Sequence, residues 1–414
     1  MTQSPACRSS SSGRSPTAPP DDSRRLRVCL VYDCLFPWTI GGLEAWFRDL
    51  AEELAQRGHD VTYLTLRQWD RALPPRIDGV RVAAVGPRMA LYAHGRRRVL
   101  PPLVFGLGVL GHLTRHARDY DVVHFASFPY VPLLLADAWA RVSRVPLVVD
   151  WWEVWTGAYW RAYLGPVLGR LGAAAQGLAA RAPQRAVSYS RLHAARLSAL
   201  APAQPRATIR TVLPAVDPSE PIPSAGHLLF VGRLIPEKRA NAMLPALALA
   251  RAVRPDLRAV IVGDGPEQPS LRTAVREAKL GDVVDLLGFV TPERLDALRR
   301  GALALVLPSA REGYGLVVLE AAAAGVPSIV VAGEDNAATE WIAPGVNGFV
   351  APSASADALA SAILAVHAGG DRLRASTAAW YAALAADARR HPAVDTIVAL
   401  YADAVRERAM PDPT

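Results

Sequence analysis

Pro308-Ser309-Ala310-Arg311-Glu312-Gly313-Tyr314-Gly315-Leu316-Val317-Val318-Leu319-Glu320-Ala321 is the stretch on which the reading of this chain turns. It follows Ala304-Leu305-Val306-Leu307, an apolar run that reads as a strand buried on both faces, and it passes within a few residues into an apolar helix. Glu312 falls in the loop of that strand–loop–helix junction, and Glu320 lies more than one turn inside the helix. Gly313 and Gly315 let the backbone approach a ligand closely. A helix that starts near Gly315 aims free N–H groups and a partial positive charge outward, which suits a diphosphate. A carboxylate inside that helix can accept hydrogen bonds from two vicinal hydroxyls, as a ribose presents, and one on the loop can reach hydroxyls of whatever the diphosphate carries. Acidic residues also favour helix N-termini for electrostatic reasons alone, and Glu312 taken singly is read equally well that way.

Outward from this stretch, short apolar runs alternate with helical periods. Leu228-Leu229-Phe230-Val231-Gly232, Ala259-Val260-Ile261-Val262-Gly263, Val283-Val284-Asp285-Leu286-Leu287 and Ser328-Ile329-Val330-Val331 read as strands, with a helix over about 241–253. The first half shows the same plan. Val28-Cys29-Leu30-Val31-Tyr32 is a strand, and Leu43, Trp46, Phe47, Leu50 and Leu54 mark one face of a helix that Gly58 ends. Val61-Thr62-Tyr63-Leu64, Val80-Arg81-Val82, Val122-Val123-His124-Phe125 and Leu147-Val148-Val149-Asp150 continue the series. Strand–helix alternation predicts an α/β fold of two tandem Rossmann-like domains with a cleft between them. The expected divisions are a disordered tail over 1–26, a first domain over 27–200, a proline-rich linker over 201–224, a second domain over 225–370, and terminal helices over 371–414 that pack back on the first domain.

Composition agrees with a globular chain. Of 414 residues, 51 % are hydrophobic and 20 % charged, enough apolar material for more than one core. Cys7, Cys29 and Cys34 offer neither a disulfide framework nor metal-ligand spacing. No apolar run is long enough for a membrane span, and the N-terminus lacks the apolar core of a secretory signal, so a cytoplasmic setting is expected. The net charge of +8 points to anionic partners, but no nucleic-acid motif accompanies it, and no nucleic-acid partner is expected. Arginine dominates the positive charge, as GC-rich coding alone would produce, and Lys238 and Lys279 are the only lysines.

Gly232-Arg233-Leu234-Ile235-Pro236-Glu237-Lys238 follows the first strand of the second domain, so Arg233 and Lys238 would face the cleft. A planar fork and a compact point charge together make a clamp for a pyrophosphate, though a solvated loop pair is the plainer alternative. The ordered set Val231-Gly232-Arg233-Leu234 with Glu237-Lys238, Val262-Gly263-Asp264-Gly265-Pro266, Gly288-Phe289-Val290, the Glu312–Glu320 pair, Ala324-Gly325-Val326-Pro327 and Gly345-Val346-Asn347-Gly348 resembles the retaining glycosyltransferases of family 4, which have the GT-B fold. The resemblance covers roughly residues 225–365; Gly41-Gly42-Leu43-Glu44 and Arg57-Gly58-His59-Asp60-Val61 extend it more loosely into the first half.

The resemblance implies transfer of a sugar from a nucleotide-diphosphate donor to an acceptor hydroxyl with retention, without cofactor or metal. It implies that Arg233 and Lys238 bind the diphosphate, that Glu312 holds donor-sugar hydroxyls and Glu320 the ribose, and that Gly313, Tyr314, Gly315 and Leu316 line the sugar and phosphates. Gly41 and Gly42 would close on the phosphates, Gly232 would flank the clamp, and Phe289 and Val290 lie where the family holds the base. Relatives usually carry histidine where this chain has Trp152; a tryptophan there could stack on a sugar face. His124 is a candidate for compensating that change, against the plainer reading of a core histidine. Glu153 is read either as a sugar contact or as an acid in a helix's first turn.

Eight of the ten tryptophans lie in the first half, and the run Trp151, Trp152, Trp155, Trp160 is read as too dense for core alone, lining an acceptor site. The acceptor is a small molecule, a glycan or a lipid-linked molecule. Residues 79–118 hold seven arginines and no acid, and Arg96-Arg97-Arg98 precede an apolar run, which suggests peripheral contact with the inner membrane face, against a merely solvated face. A nucleotide-sugar epimerase of the same fold, or a nucleotide-sugar-binding protein without transfer, stand as alternatives.

Overall fold

The computed structural model describes residues 25–70, 75–93, 96–209, 211–214 and 218–409, apart from the side chains of Ala93 and Arg96. In the first half, the elements run β1 (Arg27–Val31), α1 (Gly42–Gln56), β2 (Asp60–Thr65), β3 (Val80–Ala84), β4 (Tyr92–Ala93), β5 (Arg96–Arg97), α2 (Leu100–Arg115), β6 (Val122–Ala126), α3 (Tyr130–Ser143), β7 (Leu147–Trp151), α4 (Gly157–Leu164), α5 (Pro166–Arg181), β8 (Arg185–Ser188), α6 (Arg191–Leu200) and β9 (Arg206–Thr208). The larger strands form one seven-stranded parallel sheet in the order β3-β2-β1-β6-β7-β8-β9. β4 and β5 make a separate antiparallel pair.

The second half runs β10 (His227–Val231), α7 (Met243–Val253), β11 (Arg258–Val262), α8 (Gln268–Glu277), β12 (Val284–Gly288), α9 (Pro292–Gly301), β13 (Ala302–Leu307), β14 (Arg311–Glu312), α10 (Leu316–Ala323), β15 (Ser328–Val331), β16 (Asp335–Asn336) and β17 (Gly348–Ala351). Its sheet is parallel, in the order β12-β11-β10-β13-β15-β17. The strand order reverses between β10 and β13. The loops after those two strands, Gly232–Lys238 and Pro308–Gly315, therefore flank the switch-point crevice where such sheets bind ligands.

Buried apolar residues supply the reason for both sheets. Every residue of β6, β7, β13 and β15 is buried, as strands covered by helices on both faces must be. After β17 a helix, α11, runs over Ala356–Arg390 with a kink at Gly370, where φ is +47°. Its first leg packs Leu359, Ile363 and Val366 on the second-half core; beyond the kink Tyr381 and Ala385 join the first-half core. The last helix, α12 (Ala393–Ala409), places Ile397 and Tyr401 in that same core.

Three expected divisions change. Residues 1–24 of the expected tail lie outside the described residues, and Leu26 is buried in the first core with its N–H donating to His59 Nδ1. Within the expected linker, Arg206–Thr208 is the edge strand β9, because its backbone completes the ladder of β8. The terminal helices do not begin at 371: α11 starts at Ala356 and passes through that point with only the Gly370 kink.

Candidate functional site

The loop after β10 carries a 3-10 turn, Pro236–Lys238, which brings Lys238 to Glu312. Lys238 Nζ lies 2.5 Å from Glu312 Oε1, and Ser309 Oγ donates to the same oxygen at 2.7 Å. Glu312 is fixed from behind. β14 pairs with β16, and Asn336 Nδ2 donates to the carbonyls of Ser309 and Val331. Arg233 stands exposed at the end of β10, unlike the part-buried Lys238. Lysine and carboxylate thus meet at the C-terminal edge of the sheet, where Arg233 also stands.

α10 opens on Gly315, whose φ of +91° is left-handed and whose Cβ would lie 2.6 Å from that of Ala338; both conditions exclude a side chain. Tyr314 is buried. Its hydroxyl bridges the N–H and C=O of Val212, and Trp341 Nε1 donates to its carbonyl. Leu316 begins the helix and faces the first half, where a Cβ on Gly42 would lie 2.7 Å from Leu316 Cδ1. Gly41 is the cap residue of α1, and a Cβ there would meet the Glu44 carboxylate. The α1 and α10 N-termini thus approach each other through glycine. Glu320 receives Arg299 Nη2 at 3.2 Å; burial pushes its carboxyl up, and Arg299 opposes that. Phe289 is 68 % exposed, while Val290 packs partly on the second-half core.

In the first half the structure takes His124, Trp152 and most of the tryptophan run into the core. His124 is 0 % exposed and meets no ligand surface. β6 sits between β1 and β7, and α12 covers it: His124 Nδ1 pairs with the Tyr401 hydroxyl at 2.5 Å and Nε2 with Asp150 Oδ1 at 2.8 Å. It is a core histidine. The Trp152 ring is buried too and stacks on Tyr189, centroids 4.0 Å apart, with Tyr314 at its edge, so no sugar can lie on that stack. Trp151 and Trp160 are likewise core, their indole N–H groups donating to Gln184 and Gln176. The dense run is therefore mostly core. Glu153 is not a first-turn helix acid, because α4 opens only after the Thr156 cap.

Glu153 faces a residue the sequence reading left unassigned. Arg311 reaches out of the second half, pairs with the Glu153 carboxylate, and lies over the rings of Trp155 and Tyr159. Burial would raise the Glu153 carboxyl; Arg311, His193, the Trp155 N–H and Lys238 outweigh it and hold the group below its ordinary range. His193 was unassigned as well. It is buried, its Nδ1 accepts from the Val154 N–H, and burial lowers its pKa. Burial also pushes the Glu44 carboxyl up, against its own backbone N–H and the charges of Arg233 and Arg97. Arg97 is 8 % exposed at its side chain and pairs with buried Asp33, so the expected basic surface over Arg96–Arg98 keeps only Arg98 as an exposed described side chain. The physical reason is Asp33: a buried carboxylate needs a paired cation.

Known proteins match this arrangement in both halves. The model for glycosyl transferases group 1 matches residues 219–379, and that for the glycosyl transferase 4-like domain matches residues 41–214. The D-inositol 3-phosphate glycosyltransferase of Kineococcus radiotolerans is 32 % identical over 327 residues, covering 70 % of this chain and 73 % of its own. Among solved structures, the sucrose-phosphate synthase of Thermosynechococcus elongatus superposes with a TM-score of 0.72 at 20 % identity, over 87 % of this chain and 95 % of its own. Anabaena HepE in complex with UDP and glucose does so at 0.66 and 19 %, over 92 % and 100 %. The two sheets have the GT-B arrangement of these structures, and the chain belongs to the group 1 glycosyltransferases.

Proposed function

We propose that the chain transfers a sugar from a nucleotide-diphosphate donor to an acceptor hydroxyl, with retention of configuration and without a metal. The Lys238–Glu312 contact at 2.5 Å, beside exposed Arg233 and the α10 N-terminus, carries this reading. An arriving diphosphate takes Lys238 and Arg233 as its counter-charges, which frees Glu312 to accept sugar hydroxyls. The bond from the anomeric carbon to the diphosphate breaks, its electron pair leaving on the phosphate oxygen. The acceptor oxygen bonds the same face of the carbon, and its proton passes to the departing diphosphate. Glu320, held by Arg299, takes the ribose hydroxyls, and the exposed Phe289 lies against the base. HepE's complex with UDP and glucose supports a diphosphate donor.

The test is slow donor hydrolysis by the purified chain, followed by proton NMR. The first-formed anomer should match the donor, at a rate unchanged by EDTA; the opposite anomer, or a rate lost to chelation, refutes this reading.

We also propose peripheral contact with an anionic bilayer, at a corrected address. Among the described residues no helix is long and apolar enough to cross a membrane. Leu100, Leu103 and Leu107 of α2 are exposed, as are Val167, Leu168 and Leu171 of α5, and residues 154–216 hold eight arginines and no Asp or Glu. The Arg97 N–H donates to the Tyr163 hydroxyl, which ties β5, just before α2, to the end of α4, just before α5. Sedimentation with phosphatidylglycerol vesicles should carry the protein down and Leu171→Glu should abolish it; equal binding to neutral vesicles, or none, counts against the contact.

A further inference from the structure

We propose that Arg311 is a positioning residue that couples closure of the cleft to the placement of Glu312. This rests on the donor-site reading above. Arg311 belongs to the second half, yet the carboxylate and the two rings that seat its guanidinium, Glu153, Trp155 and Tyr159, come from the first. It pairs with Glu153, and its guanidinium carbon lies 4.7 Å from the Trp155 ring centre and 4.6 Å from that of Tyr159. The Trp155 Nε1–H donates to Glu153 Oε2 at 2.6 Å, so carboxylate and ring are locked together. The Tyr159 hydroxyl donates to Glu237 at 3.0 Å, next in sequence to Lys238. The cage that seats Arg311 therefore also grips the loop that carries Lys238.

On the other side of Glu312, a Cβ on Gly313 would lie 2.6 Å from Glu153 Cγ and 2.9 Å from the Trp152 carbonyl oxygen. Both chain neighbours of Glu312 thus rest on one first-half segment, 152–155. Glu312 itself is held by Lys238 and Ser309 of its own half.

A second arginine grips the same two segments. Arg196 Nη1 donates to the Val154 carbonyl at 3.1 Å and to Asp335 Oδ1 at 2.6 Å, and Asp335 is the ladder partner of Arg311. The Arg311 side chain is 14 % exposed. A guanidinium so buried is stable only while its carboxylate and its ring faces are present. Parting the halves removes all three at once and leaves Glu153 without its arginine. The segment 311–313 then loses its seat, and Glu312 moves with it. Closure and the geometry of the carboxylate are one event.

The test uses the full chain with Arg311→Met, which fills the cage without charge, Arg311→Lys, Glu153→Gln, and the Met/Gln double variant. Arg311→Met should lower donor-turnover kcat about 100-fold, as a misplacement of the order of 1 Å does. It should also raise the radius of gyration in small-angle scattering and leave nucleoside-diphosphate affinity within about threefold, since Arg233 and Lys238 remain. Arg311→Lys should recover most of the loss, and the double variant should be no worse than the worse single variant. Wild-type kcat and scattering in Arg311→Met overturns the proposal, as do losses that multiply in the double variant, or a loss confined to KM. A wild-type chain that binds no nucleoside diphosphate defeats the donor reading instead, and the scattering of the four variants still decides the latch.

Discussion

The two halves share a sheet plan and differ in how each builds the surface that faces the cleft. In the second half the polar groups come from two adjacent loops at one switch point, Gly232–Lys238 and Pro308–Gly315, and they touch each other. In the first half the polar groups that look equivalent are drawn inward. His124 pairs with Tyr401, Asp33 with Arg97, and Trp152 stacks on Tyr189. The difference teaches that a site made by a loop is announced by contiguous residues, whereas a surface made by packing depends on what covers it.

The sharpest break in this comparison is to remove each half's polar group in turn. Lys238→Ala and Glu312→Ala should each lower the turnover of the folded protein by about 10²–10³-fold, as loss of one preorganised charge contact does. Steady-state assays of nucleoside diphosphate release check this. His124→Leu should do the opposite. It leaves Asp150 in the core with one partner fewer and should cost about 3 kcal/mol of stability, while the folded fraction keeps its turnover. Urea unfolding with a parallel assay separates the two, and a turnover loss at unchanged stability would return His124 to the site.

The boundary between the halves gives a smaller effect with a definite sign. Glu153 is held below its ordinary range by Arg311 and its other partners, against burial. A depressed folded pKa contributes stability above the unfolded value, about 4.3 for a glutamate, and loses it as pH falls through the folded value. The wild-type Tm should therefore exceed that of Glu153→Gln from neutral pH down to about 4.3, and the gap should close below it. A gap that stays constant into strong acid contradicts the ion pair. Smallest is Phe289→Ala. With 68 % of the residue in solvent, stability should move by less than about 0.5 kcal/mol while the ranking of nucleobases changes. Competition among nucleoside diphosphates reads that ranking.

Strand–helix alternation was enough to read five strands of each sheet, because a parallel strand covered on both faces is a continuous apolar run and its crossover must be helical. β8, β9 and β17 escaped because strands of three or four residues, Arg185–Ser188, Arg206–Thr208 and Gly348–Ala351, are too short to show a period. In the second half the candidate residues were legible because each loop carries its own as a short run, and the two loops follow neighbouring strands, β10 and β13, although Lys238 and Glu312 lie far apart along the chain. Arg311 was not, although it adjoins Glu312: arginine is the chain's ordinary cation and stands out nowhere. His193 was hidden in the first turn of α6, with nothing local to show that it meets the Val154 N–H. His124 stayed open between site and core because its cover, Tyr401, comes from the last helix, and no local pattern joins β6 to α12.

Thermal unfolding of the full chain against UDP, GDP, ADP and their sugar conjugates, with Lys238→Ala alongside, tests the central claim most directly. One nucleoside diphosphate should stabilise the wild type, by about 2.7 kcal/mol at one hundred times its dissociation constant, and that gain should largely vanish in Lys238→Ala. A folded wild type that no nucleotide stabilises, or a gain that Lys238→Ala keeps in full, would contradict a diphosphate held between Lys238, Arg233 and the α10 N-terminus.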